Sequence, residues 1–217
     1  MNINNDAQKN RTLLTCGAIA GPLFVITFLI EGITRANYNP LRHPVSSLAL
    51  GDFGWIQIAN FVITGLLLLG FAIGLWRTFL PSFWRPVLIG LIGLSLIGAG
   101  VFITDPINGY PPGTPLILLE YSNHGRIHDL FGVLTFLGLP ITCLVFCFGF
   151  VRARKYGWAA YSAFSGIAMF VFFALAGMGF SQVTGYSDFA GVFQRLSIIS
   201  GLGWITLLAI YLRKAVV

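Results

Sequence analysis

Six apolar stretches, each about as long as a bilayer's hydrocarbon core is thick, constrain this 217-residue chain more than any other feature. They run over 13–33, 56–79, 84–104, 127–151, 157–180 and 192–212, close to the ~20 residues that carry an α-helix across ~30 Å of hydrocarbon. Lipid offers peptide groups no hydrogen-bond partner, so such stretches fold as helices that satisfy their own backbone. Charged residues make up 9% of the chain, too few to cover a water-exposed domain. The predicted fold is all-α: a polytopic membrane protein, a bundle of six transmembrane helices forming one domain over 13–217. A polar tail over 1–12 precedes it and is expected to be disordered. The first stretch exceeds the apolar core of a cleaved signal and no small-x-small cleavage site follows it, so it is expected to stay as an anchor. The tight connection Leu80-Pro81-Ser82-Phe83 predicts an antiparallel hairpin of the second and third helices.

Orientation follows from the basic residues of the connections. One side carries Lys9, Arg11, Arg77, Arg85, Arg152, Arg154, Lys155, Arg213 and Lys214; the other carries Arg35, Arg42, Arg126 and Arg195. That imbalance predicts both termini in the cytoplasm, and most of the net charge of +6 then lies against anionic headgroups. Membrane lipids are the expected partners. Nucleic acid is not, because the chain has no soluble basic segment laced with aromatics. The oligomeric state is left open.

Acidic residues show the opposite bias. Asp6 is the cytoplasmic one, whereas Glu31, Asp52, Asp105, Glu120, Asp129 and Asp188 fall near the outer ends of the stretches, together with His43, His124 and His128. The longer connections, about 34–55, 105–126 and 181–191, lie on that same side, where binding residues tend to collect. Cys16, Cys143 and Cys147 sit inside apolar stretches and are expected to act as small buried hydrophobes. Small residues spaced four apart, Gly17 with Gly21, Gly70 with Gly74 and Ser95 with Ala99, predict close helix packing.

His124 and His128 stand at i and i+4, on one helix face, a spacing at which two imidazoles can share a zinc ion. Ser122 or Asn123 can cap that helix, whose positive end favours neutral imidazoles. His43 or Asp105 would be the third ligand, leaving a position for water. Asp129 would orient a ligand or act as base on that water. Ser46, one turn from His43 if that segment is helical, would hydrogen-bond substrate. Arg195, with Gln194 in the first turn of the last helix, calls for a partner: Asp105, Asp129, Glu31 or a lipid phosphate. Arg42 joins them as a headgroup contact. Intramembrane ionisable groups are functional by default, although histidines at helix ends can simply sit at the interface.

These residues carry a resemblance. His43-Pro44-x-Ser46-x-Leu48, Gly51-x-x-Gly54-Trp55, Asp105-Pro106, His124-Gly-x-x-His128-Asp129 and Gln194-Arg195-Leu196 together resemble the bacterial family labelled domain of unknown function 998. The resemblance spans nearly the whole chain. It implies six membrane helices in a bacterial inner membrane and brings no activity with it. A weaker likeness runs to the membrane hydrolases that include alkaline ceramidases and adiponectin-type receptors, in which a Ser and a His on one helix, an Asp on the next and a His-x-x-x-His pair hold zinc. Here the order of Ser and His is reversed, and that family has seven helices.

Three functions compete at this point. The first is a metal-dependent hydrolase of a lipid or amphiphile at the outer leaflet. The second is a non-catalytic binding, sensing or transport-accessory protein whose polar cluster holds the helix ends together. The third, haem electron transfer, is not expected: the chain has three histidines, and bis-His ligation of two haems takes four.

Overall fold

The computed structural model describes residues 3–78 and 83–215, so Leu80-Pro81-Ser82 of the expected hairpin turn lies outside them. Six long helices follow one another: α1 (Ile3–Thr34), α2 (Gly54–Thr78), α3 (Trp84–Val101), α4 (Asn123–Arg152), α5 (Tyr156–Phe180) and α6 (Ala190–Ala215). All six are long and apolar enough to cross a membrane. The described residues contain no strand; an isolated bridge, Ile107 to Tyr110, pins the long connection between α3 and α4.

One expectation is corrected at the start. Residues 3–12 are not a loose tail: α1 begins at Ile3. Asn10 donates to the Thr78 hydroxyl at the end of α2 (3.0 Å), so this first part of the helix is tied to its neighbour.

Each helix packs on its neighbours in the chain, and α1 also packs on α6. The result is a closed ring of six antiparallel helices in chain order. Small residues set the spacing, as their pattern predicts. A Cβ on Gly65 would lie 2.5 Å from the Gly93 carbonyl, and one on Gly21 would lie 2.7 Å from that of Leu202, so α2–α3 and α1–α6 approach backbone to backbone. All three thiols are free, with Cys143 fully buried.

The ring is not filled to its centre. One large residue from each helix, Phe24, Phe61, Leu96, Leu139, Met169 and Leu202, lines a cavity of about 350 Å³. The cavity lies towards the end that bears the long connections, called the loop end below.

Candidate functional site

Two constructions stand at the loop end: a clamp that fixes the connections, and the mouth of the cavity. The clamp is centred on Arg195. Its guanidinium donates to the carbonyls of Pro40 (2.6 Å), His43 (3.2 Å) and Gly191 (3.0 Å) and to the Tyr38 hydroxyl (2.5 Å). It also lies over the rings of Phe28 and Tyr38, 5.7 and 5.6 Å from their centroids, where a cation meets the negative ring face. The sequence calls for a carboxylate or a lipid phosphate beside Arg195. The structure supplies main-chain carbonyls instead, because the segment over 38–45 folds back onto the first turn of α6. Gln194 works beside it, its Oε1 accepting the Val45 N–H at 2.7 Å. Glu31 pairs with Arg35, and Arg42 reaches Asp188 at 3.5 Å on the rim, where an exposed pair contributes little.

His43 belongs to this clamp. It is 7% exposed, wedged between Tyr38 and Tyr110, each ring centroid 5.3 Å away. Its Nδ1 accepts the Asn39 N–H at 2.9 Å, so the proton of the neutral ring sits on Nε2. Burial lowers its pKa first, helped by the charges of Arg42 and Arg195, while a hydrogen bond with the Asn108 backbone works the other way. Burial likewise pushes Tyr38 up to about 12, against the Arg195 charge that lowers it. Tyr38 therefore stays a phenol and donates to the carbonyls of His43 and Pro44.

Asp105 anchors the other connection. One carboxylate oxygen, Oδ2, accepts the Ser122 N–H (2.8 Å), and the Ser122 hydroxyl in turn caps α4 by accepting the Gly125 N–H (2.9 Å). A Cβ at position 125 would lie 2.0 Å from that Oδ2, so glycine there is what admits the carboxylate.

The expected metal set is therefore not assembled. His43 Nδ1 and Asp105 Oδ2 are engaged in local hydrogen bonds, His124 lies exposed against Phe102 (5.5 Å between rings), and no group of three or more His, Cys, Asp or Glu among the described residues is placed to hold an ion. No three of the residues expected to hold zinc converge in this arrangement. Ser46 is also not on a helix with His43: Pro44 is extended (φ −61°, ψ 147°), and a 3-10 turn starts only at Val45.

What the structure does bring together is His128, Asp129, Ser46 and Gln194, which all line the cavity, as does Thr104. His128 is buried, and its Nδ1 faces the carbonyls of Ala99 (2.9 Å) and Phe102 (2.8 Å). Carbonyls only accept, so Nδ1 carries a proton, and in the neutral ring Nε2 is left as an acceptor with no hydrogen-bond partner among the described residues. Gln194 has its oxygen committed to Val45, which turns its amide NH₂ into the free end. Deeper in the cavity, the Thr135 hydroxyl is buried without a partner among the described residues. Sequence reasoning missed Thr135, Thr104, Tyr38 and Tyr110, since a hydroxyl in or near an apolar stretch carries no sign of what it will face. It also missed the apolar floor, because the same leucines and phenylalanines face lipid elsewhere.

One wall of the cavity is thin. Phe136 and Phe173 stack at 4.6 Å between α4 and α5. Beyond them towards the loop end, Gly132 on α4 and Gly177 on α5 both line the cavity, and a Cβ at either would meet nothing within 4 Å. Val133, in the same wall, is 43% exposed. The cavity thus borders the region that lipid occupies.

A family model described as "Protein of unknown function (DUF998)" matches residues 18–211. The chain belongs to this family. No curated protein and no solved structure matches, so the likeness to ceramidases and adiponectin-type receptors gains no support. In this DUF998 chain the family match runs from within α1 to near the end of α6 and takes in the cavity, its mouth and the Arg195 clamp.

Proposed function

We propose that this DUF998 chain is a membrane binding protein for an amphiphile, which lies with its tail in the ring and its polar end at His128, Asp129, Ser46 and Gln194. The carrying observation is that an apolar cavity lined from all six helices ends in one cluster of polar groups with open hydrogen-bonding capacity. Ligand sites have this composition: mostly apolar walls, with a few convergent polar groups that fix orientation. The thin wall at Gly132 and Gly177 supports entry sideways from the membrane. The excess of Lys and Arg at the opposite end of the bundle supports cytoplasmic termini in a bacterial inner membrane, with the loop end facing outward.

Binding or sensing fits better than hydrolysis. A hydrolase needs an activated nucleophile as well as a pocket, and His43 and Asp105 are spent on holding loops. The test is lipid binding by the full chain in nanodiscs, with Leu139→Trp as the comparison. Leu139 is 1% exposed and lines the cavity, so an indole there takes up the space of a tail. Saturable binding of a labelled single-chain amphiphile that falls at least about tenfold in a folded Leu139→Trp variant is the expected result. Equal binding by both proteins would refute the proposal.

A further inference from the structure

The charges around the mouth restrict which amphiphile fits. Asp129 contributes a carboxylate and His128 an imidazole lone pair, both acceptors, while Ser46, Thr104 and Gln194 are neutral, the last with its amide NH₂ as a donor that a hydroxyl of the ligand can meet. Among the described residues, no Lys or Arg lines the cavity. The four basic residues of the loop end are accounted for elsewhere. Arg35 is held by Glu31 and the carbonyls of Leu50 and Phe53. Arg42 reaches Asp188. Arg195 is enclosed by the clamp and 7% exposed. Arg126 is exposed on the first turns of α4 and is not part of the lining.

An anionic headgroup placed at this mouth would meet a like charge and no cation, an arrangement that disfavours it. A headgroup that donates hydrogen bonds meets two acceptors. Resting on the amphiphile reading above, we infer that the ligand is an amphiphile whose headgroup is a hydrogen-bond donor, a hydroxylated group or an ammonium, and that anionic headgroups such as carboxylate and phosphate are rejected.

The experiment is competition on the full chain in nanodiscs. Radiolabelled dodecyl glucoside is the reference ligand, and unlabelled dodecylamine, dodecyl glucoside, dodecanoate and dodecyl phosphate are the competitors. The chain is held constant, so the headgroup alone is read. The expected result is displacement by the glucoside and the amine, with both anions at least about tenfold weaker. In Asp129→Asn the amine should lose its advantage over the anions while the glucoside changes less. The ratio of amine to glucoside potency then tells an ammonium ligand from a hydroxylated one. Competition by dodecanoate or dodecyl phosphate as strong as that of the amine would overturn the headgroup inference and leave the amphiphile reading standing, as would an unchanged anion-to-amine ratio in Asp129→Asn. Absence of saturable glucoside binding, with wild type no different from Leu139→Trp, would overturn the amphiphile reading and this inference together.

Discussion

Replacing Arg195 by methionine should cost about 2–4 kcal/mol of stability while leaving the six helices in place. The Gly191 carbonyl is shared with the helix itself, so three bonds are at stake: those to Pro40, His43 and Tyr38. Hydrogen bonds to a charged group contribute roughly 1.5–3 kcal/mol each, a gross loss of about 4.5–9. Against this, methionine removes a guanidinium that is 7% exposed, and relief from burying a charge is worth several kcal/mol. The His43 carbonyl also keeps its bond from Tyr38. For a chain of this size each kcal/mol moves the midpoint by about 2–4 °C, so Arg195→Met should melt roughly 4–16 °C below wild type in nanodiscs. Arg195→Lys keeps the charge without the planar fork and should fall between them. A second readout locates the damage: trypsin should cut after Arg42 faster in the methionine variant, since the segment over 38–45 loses its tether, while cleavage after Arg152 and Arg154 at the opposite end is unchanged. A methionine variant that melts within about 2 °C of wild type, or a lysine variant as damaged as methionine, would refute the reasoning.

Further predictions address the other parts of the loop end. Gly125→Ala should cost roughly 1–3 kcal/mol, because its Cβ would sit 2.0 Å from the Asp105 carboxylate; adding Asp105→Ala should recover part of that loss, and simple additivity of the two changes in thermal unfolding would contradict the contact. The lowered pKa of His43, from its ordinary 6.5, means that on acidification the unfolded chain takes up a proton before the folded one. Its neutral form therefore favours the fold fully above about pH 6.5, and stability falls as pH drops below that value. Comparing melting at pH 7.5 and 5.5 should show a smaller loss in His43→Gln than in wild type; an equal loss would place the acid sensitivity elsewhere. Gly132→Leu, which fills the thin wall between α4 and α5, should slow amphiphile association more than it changes melting, and an unaltered on-rate would argue for entry by another route.

Helix number and end-to-end polarity were legible from residue order because both are local. A run such as 56–79 must be helical wherever it packs, since its peptide groups have no other partner in lipid. The cap at Ser122 is local too, and it forms as the residue pattern implied. The ordered start of α1 was not legible, because it depends on Asn10 finding Thr78. The site was legible in part. Ser46, His128, Asp129 and Gln194 line one cavity as a group of polar residues at one end would suggest, but His43 and Asp105 go to structural work. Histidines spaced for metal look the same in sequence whether their lone pairs are free or taken, and here the Asn39 amide takes one.

Residue order by itself thus determined the medium, the helices and the end at which polar groups gather, because hydropathy and backbone hydrogen bonding act along the chain. Tertiary structure alone decided that the ring closes α1 on α6, that a space remains at its centre, and which polar atoms face that space. Those outcomes depend on contacts such as Arg195 with Pro40 and Gln194 with Val45, between residues about 150 positions apart, where one-dimensional pattern carries no information on who meets whom.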